Sequence, residues 1–508
     1  MDTPCSGARQ FWILAATILG SSMTFIDGTV VNVALPALQA SFHATVVDVQ
    51  WVVESYGLFL GALILVGGSL GDLFGRRRMF ILGVLVFAAA SAACGRAHNV
   101  HQLVIARSIQ GMGAAFLVPG SLAIIGASFD EKTRGRAIGT WSGFTAITTA
   151  FGPVLGGWLI EHASWRWAFF LNLPLAAAVI AISIWQVPES RSTSAGRIDW
   201  LGAMLVTVGL GGLVNGFIES VNLGWRHPLV FGSLIVGAIC LMVFCFVEAH
   251  AEFPMVPLKL FASRSFSGAN LLTLFLYAAI AIFFFVFPMN LIQVQGYSPT
   301  ATGAAILPLI LLLFTLSRWS GGLVDRLGPR TPLVAGPFIV ALGFALFASP
   351  STGGNYWKTF FPALVVLGIG MAVTVAPLTT VVMSSVEPDR VGTASGINNA
   401  VSRIAGVLAI AVLGIVMVHA FRARLNPKLQ QLVLPAYIRQ EIQANQTKLA
   451  GLAIPEGIEA ETRAALTLAV NDAFVFGFRV VVLICGGLAL ASSGMAWLLV
   501  EPSIKRSN

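Results

Sequence analysis

"GSLGDLFGRRR", residues 68–78, and "GGLVDRLGPR", residues 321–330, each set a carboxylate and arginines between two apolar runs. Only 10% of the chain is charged, so the placement is selective. Gly68, Leu70, Asp72 and Gly75 align with Gly321, Leu323, Asp325 and Gly328 at an offset of 253 residues. A second echo, "EKTR" at 131–134 and "EPDR" at 387–390, lies at an offset of 256. Two echoes at nearly one offset mark an internal repeat.

The chain is 508 residues long and 56% hydrophobic, with a mean hydropathy of +0.84. A soluble domain could not hide that much apolar surface. Apolar stretches of about 20 residues, separated by short polar breaks, predict helices that cross a hydrocarbon core of about 30 Å. A closed barrel would alternate in segments of about ten residues, and no such alternation is present. Fourteen spans are expected, starting near Phe11, Val49, Met79, His101, Ala137, Trp167, Trp200, Leu229, Phe266, Ala301, Pro332, Thr359, Ser395 and Ala473. The first holds Asp27 and Asn32 and lacks a cleavable small-residue site, so it reads as a retained helix.

Lysine and arginine in the short loops set the orientation. With the N-terminus inside, the inner segments carry sixteen, among them Arg9, Arg76, Arg77, Arg78, Arg197, Arg326, Arg330, Lys505 and Arg506. The short outer loops carry four: Arg96, Arg166, Arg226 and Lys358. Both termini are therefore expected in the cytoplasm, and the expected location is the cell inner (cytoplasmic) membrane, multi-pass. The net charge of +8 then reports topology, not nucleic-acid binding. The five cysteines show no ligand spacing and read as small apolar residues, with no metal or cofactor implied.

Removing the two spans between about Ile198 and Glu248 leaves six before and six after. The expected division is an N-terminal bundle (1–187), two inserted helices (188–250), a C-terminal bundle (251–420 and 473–508), and an extracytoplasmic loop (421–472). Parallel six-span repeats suit transporters whose halves rock about a site at the membrane midplane.

Further motifs follow in order: "IDGTVVNVALP" (26–36), "ARSIQGMGAA" (106–115), "GPVLGG" (152–157) and "WRWAFFLNLP" (165–174). With the loop string at 68–78, the chain resembles the major facilitator superfamily, in its fourteen-helix drug:proton antiporter branch. The resemblance covers nearly the whole chain. Leu73 stands where the loop motif often has a basic residue, and Thr148 where the fifth-helix motif often has a further glycine. The resemblance implies an all-α membrane protein of the major facilitator fold. It also implies a conformational latch at Gly68, Asp72, Gly75 and Arg76 with its echo Asp325, and an antiport motif at Gly152, Pro153, Gly156 and Gly157. From the residues alone, the loop could be plain positive-inside anchoring, and the fifth-helix motif an ordinary kinked interface.

Asp27 lies nine residues before Pro36, roughly 13 Å below the outer end of helix 1. Glu54 lies roughly 9 Å below the outer end of helix 2, and Arg107 at a similar depth in helix 4. Charges inside hydrocarbon cost several kcal/mol and usually face a cavity or a partner. Asp27, Glu54 and Arg107 are thus the candidate proton-coupling group, against a static ion pair that only specifies packing. Helix 9 is rich in aromatics, of which Tyr277 and Phe284, with Asn398 and Asn399 of helix 13, are the candidate cavity residues. The intramembrane Arg403 of helix 13, like Asn398 and Asn399, could contact substrate or cap a helix interface.

An ATP-driven pump would need a phosphate loop ending in Gly-Lys-Ser/Thr, yet none of the six lysines follows a glycine. No HExxH and no Ser, His and Asp grouping is present, so an enzyme is not expected. The expected function is a proton-coupled antiporter that exports lipophilic, often cationic, drugs. The alternative is a dedicated exporter of one metabolite, such as an antibiotic, siderophore or lipid, on the same scaffold. The expected partners are a small-molecule substrate, protons and the lipid bilayer. The transporter is expected to act as a monomer, with an accessory export protein as an open option.

Overall fold

A computed structural model describes residues 7–191, 198–252, 254–387, 390–432, 434–454 and 458–502. Cys5, Arg197, Lys505, Arg506, and Pro388 and Asp389 of the second echo lie outside them. Among the described residues there are fourteen helices long and apolar enough to cross a membrane. They are α1 (Gly7–Phe42), α2 (Val46–Phe74), α3 (Arg76–Arg96), α4 (Val100–Ser128) and α5 (Glu131–His162). There follow α6 (Trp167–Gln186), α7 (Trp200–Leu223), α8 (Pro228–His250), α9 (Arg264–Val294) and α10 (Pro299–Gly321). The last four are α11 (Arg330–Phe347), α12 (Tyr356–Ser384), α13 (Val391–Gln431) and α14 (Ala460–Leu499). An even number of crossings returns the chain to the face it started from, called here the terminal face.

Within α1–α6, α2 packs on α4, α3 on α4 and α6, and α1 on α4, α5 and α6. The same pairings recur eight helices later: α10 on α12, α11 on α12 and α14, and α9 on α13 and α14. The echoed loops share their backbone solution as well. Gly75 and Gly328 have φ of +112° and +75°, a region that side chains rarely adopt. Arg77 donates from Nη1 to the carbonyl of Val187 at 3.1 Å, and Arg330 from Nε to that of Val500 at 2.7 Å. In each half an arginine after the turn thus ties the third helix to the end of the sixth.

The inserted pair α7 and α8 pack on each other, and α7 also lies against α2 and α13. Leu58 and Ala62 of α2 share a small apolar cluster with Val206 and Leu210 of α7 and Ile404 of α13. Only 11% of the most apolar window of α8 is buried, which leaves the rest of that window for lipid.

Two helices run past their apolar portions. α13 continues to Gln431 and α14 begins at Ala460, so both ends of the expected 421–472 loop are helical. Backbone hydrogen bonding does not stop where the hydrocarbon does, whereas hydropathy registers only the lipid-buried part. Between them, the short helix Ala436–Ala444 buries Ile438 and Ile442. The turn Gln446–Gly451 contacts α1, α2, α13 and α14.

Candidate functional site

α2 starts with a capping box: Thr45 Oγ1 accepts from the amide of Asp48, and Asp48 Oδ2 accepts from the amide of Thr45 at 2.7 Å. That start sets the depth of every residue after it, including Glu54 and Tyr56. α4 is likewise started by Asn99, whose side chain accepts from the amide of Gln102 at 2.9 Å. Arg107 and Gln110 then follow on one face of α4, three residues apart.

Asp27 is fully buried and paired with Arg107, which is also buried. The carboxylate accepts further hydrogen bonds from Gln110 Nε2 at 2.8 Å and Asn172 Nδ2 at 3.3 Å. Arg107 donates to Gln110 Oε1 at 2.8 Å and to the carbonyl of Val52 at 3.2 Å. Its guanidinium lies 4.1 Å from the centre of the Tyr56 ring. Asn172 also donates to Ser91 Oγ at 3.0 Å. Five helices of the first half thus meet around one carboxylate, which is compensated by charge and by neutral donors. Gln110 and Asn172 sit within the quoted strings at 106–115 and 165–174, yet an amide in an apolar run gives no sign of what it will face.

Glu54 does not join this cluster. It is 1% exposed, and neither carboxyl oxygen has a hydrogen-bond partner. Gln50, Glu54, Gly57 and Gly61 lie along one face of α2, and that face meets α13. Gln50 Nε2 donates to the carbonyl of Ile410 at 3.0 Å, one turn before Glu54. A Cβ on Gly57 would meet Val407, and one on Gly61 would meet Arg403 Cβ at 3.2 Å. Glu54 therefore sits in the seam between the two halves.

The glycine motif of α5 lies in the symmetry-related seam. Gly152 and Gly156 press against Thr29 and Val30 of α1, while Gly157 abuts the backbone of Pro299 in α10. Gly303 of α10 in turn abuts the carbonyl of Pro153, so any side chain at these two positions would drive α5 and α10 apart. Thr148 fills its place with a bond of 2.9 Å to Ser22 Oγ of α1.

Both seams close toward the face opposite the termini. There Thr300 N donates to Glu161 Oε2 at 3.1 Å, and Gln293 Nε2 to Gln39 Oε1 at 2.8 Å. Toward the terminal face, a Cβ on Gly139 or Gly143 of α5, on Gly321 of α10, or on Gly392 of α13 would meet nothing within 4 Å. Among the described residues the hydrogen bonds between the halves, Gln50 to Ile410 included, lie on the side opposite the termini, so the terminal side is the one on which the halves part.

The loop at residues 68–78 makes its contacts within its own half. Asp72 pairs with Arg76 at 2.7 Å, and Arg76 Nη1 donates to the carbonyl of Ala123 at 3.4 Å. Arg77 and Arg78 both face Glu189, at 3.7 and 3.6 Å, and a Cβ on Gly75 would strike that carboxylate. Gly68 lies beside Pro119 of α4. Asp325 is exposed, with no ion-pair partner among the described residues.

The cavity candidates separate. Phe283, Phe285 and Phe287 of α9 are buried, and Phe283 and Phe287 pack with Phe347 in the core of the second half. Tyr277 and Phe284 are only partly buried. Asn398 donates to Asn270 Oδ1 at 3.2 Å and Thr273 Oγ1 at 2.7 Å, which ties α13 to α9 inside the second half. Asn399 caps the carbonyl of Ser395 on its own helix at 3.2 Å.

Two six-helix halves, a seam on each side and a buried charge cluster define a helical membrane transporter scaffold. Residues 17–410 match the sequence model of the Major Facilitator Superfamily, and the chain belongs to that family. It is similar to the multidrug resistance protein Stp of Mycobacterium tuberculosis (strain CDC 1551 / Oshkosh), 36% identical over 94% of this chain and 89% of that one. It is similar also to the tetracenomycin C resistance and export protein of Streptomyces glaucescens, 32% identical over 97% and 93% of the two chains. Among solved structures, a bacterial homolog of the human lysosomal transporter Spinster, inward-facing and unoccupied, superposes with a TM-score of 0.65. The identity is 17%, over 97% of this chain and 98% of that one.

Proposed function

We propose that the chain is a proton-coupled antiporter of the cytoplasmic membrane that exports lipophilic drugs or toxic compounds, cationic ones among them. It is a transporter, not an enzyme. The terminal face is cytoplasmic on the loop-charge argument, so the described arrangement is inward-open. The resistance and export proteins it resembles support the drug class.

The observation that carries the coupling is Glu54, a buried carboxyl without a partner in the seam between α2 and α13. An unpaired charge there costs several kcal/mol, so the closed seam fits the proton-bearing form. A proton taken up from outside lets the outer seam close. Its release toward the cytoplasm, when substrate is bound, lets the seam open and the substrate leave. Asp27 and Arg107 gate this step. Their pair joins the α2 backbone at Val52, two residues from Glu54, to α1 and α4, so a change in one is felt by the other. Asp72, Gly75 and Arg76 belong to the inner latch, which in the inward-open form stays within the first half. The α5 glycines form the second outer seam.

Growth of an efflux-deficient bacterial host on a panel of toxic compounds tests the reading. The protein should raise tolerance to several unrelated lipophilic compounds, and the Glu54→Gln form should not. Protection against a single compound would favour the dedicated exporter, and protection by an uncoupled variant would refute proton drive.

A further inference from the structure

Arg403 lies twelve residues into α13, roughly 18 Å from its terminal-face end and so near the middle of the bilayer. Its side chain is partly exposed and makes no ion pair or hydrogen bond among the described residues. Its Cβ lies where α13 touches Gly61 of α2, and its guanidinium carbon reaches 5.7 Å from the centre of the Phe25 ring on α1. It therefore crosses from the second half toward the first, into the gap that opens on the terminal face.

A cation at this depth ordinarily has a carboxylate partner or faces an occupied cavity. The nearby anion of α1, Asp27, is committed to Arg107, Gln110 and Asn172. Glu54 is seven residues from Gly61, roughly 10 Å along α2, and sealed in the seam. Arg403 lies over the face of the Phe25 ring, and the partly buried Tyr277 of α9, like the buried Tyr56 of α2, is close enough to feel its charge.

We propose that Arg403 anchors the substrate, and that the gap selects flat apolar compounds carrying an acidic oxygen, a carboxylate or phenolate, over the same compounds without it. The guanidinium holds the acid by charge-assisted hydrogen bonds while Phe25 and Tyr277 take the ring system. This rests on the exporter reading above and narrows its substrate class. A cationic compound is accepted when its body carries such a group as well.

The test uses the full-length protein in lipid nanodiscs and a matched dye pair, rhodamine B, which carries a carboxylate, and its ethyl ester, which does not. Fluorescence anisotropy should show tighter binding of the acid by the wild type. Arg403→Gln should weaken the acid by about tenfold or more, the size of a lost charge-assisted hydrogen bond, and leave the ester within about twofold. Arg403→Lys should keep part of the preference. An unchanged acid preference in the glutamine variant, no preference in the lysine variant, or binding of neither dye by the wild type would overturn the proposal. Ester-driven proton flux in the wild type is read separately: its presence without an acid preference retains the exporter and discards the anchor, and its absence counts against the exporter itself.

Discussion

Replacing Glu54 by glutamine fixes the seam residue in a neutral form of nearly the same shape. In the wild type, removing the proton places a carboxylate at a position 1% exposed, where neither oxygen is hydrogen-bonded and only the backbone amide of Ala411 on α13 is nearby. If that costs about 3 kcal/mol in the closed seam, the balance between closed and open outer faces shifts by roughly a hundredfold on deprotonation. Glutamine removes the whole shift. The assay is the distance between spin labels at His101→Cys on α4 and Trp357→Cys on α12. Both positions are exposed on the face opposite the termini. Cys5, Cys240 and Cys245 are replaced by serine beforehand, while Cys94 and Cys485 are buried. The wild-type distance should lengthen as pH rises, because the deprotonated form disfavours closure, and the Glu54→Gln distance should stay short throughout. A glutamine variant that opens with pH as the wild type does would refute the assignment.

Three further outcomes follow from the contacts. Asp27→Asn leaves Arg107 buried without its counter-charge, so thermal stability should fall by about 3 kcal/mol or more, with substrate-triggered proton release lost; undiminished proton flux in vesicles would remove Asp27 from the gate. Asp72→Asn breaks a partly exposed pair with Arg76, worth under about 1 kcal/mol, so expression should be normal while transport slows; full transport at normal levels would dismiss the latch, and Asp325→Asn, without an ion-pair partner among the described residues, should do less. Glu219→Gln keeps an acceptor for Trp51 Nε1, now 2.9 Å from the carboxylate, and should leave coupling intact; loss of proton coupling there would bring α7 into the coupling site.

Much of this arrangement was legible in the residues. Apolar runs marked fourteen helices because the bilayer demands a stretch of minimum length, and the loop echoes at 68–78 and 321–330 marked the repeat. The pairing of Asp27 with Arg107 followed from depth and charge. Glu54 shares their depth, but the helix face it occupies depends on the rotation of α2, which uniform apolarity leaves unmarked. For the same reason the choice of Tyr277 and Phe284 over Phe283 and Phe287 as cavity candidates had no marked helix face behind it, and the structure buries the latter pair. The starts of α13 and α14 illustrate a different limit: α13 begins near its first apolar residues, whereas α14 begins at Ala460, where Glu461 and Arg463 would have argued against a span. The contact of Arg77 with Glu189 joins residues 112 apart in sequence, and nothing local to either announces it.

The central claim is exchange of substrate for protons through Glu54. Purified protein in vesicles with an imposed pH gradient tests it directly, by the proton movement that follows addition of a transported compound. The account predicts substrate-dependent proton flux in the wild type and at most one tenth of it, as an order-of-magnitude bound, in Glu54→Gln. Equal flux through both proteins, or transport of the compound with no proton movement in the wild type, would contradict it.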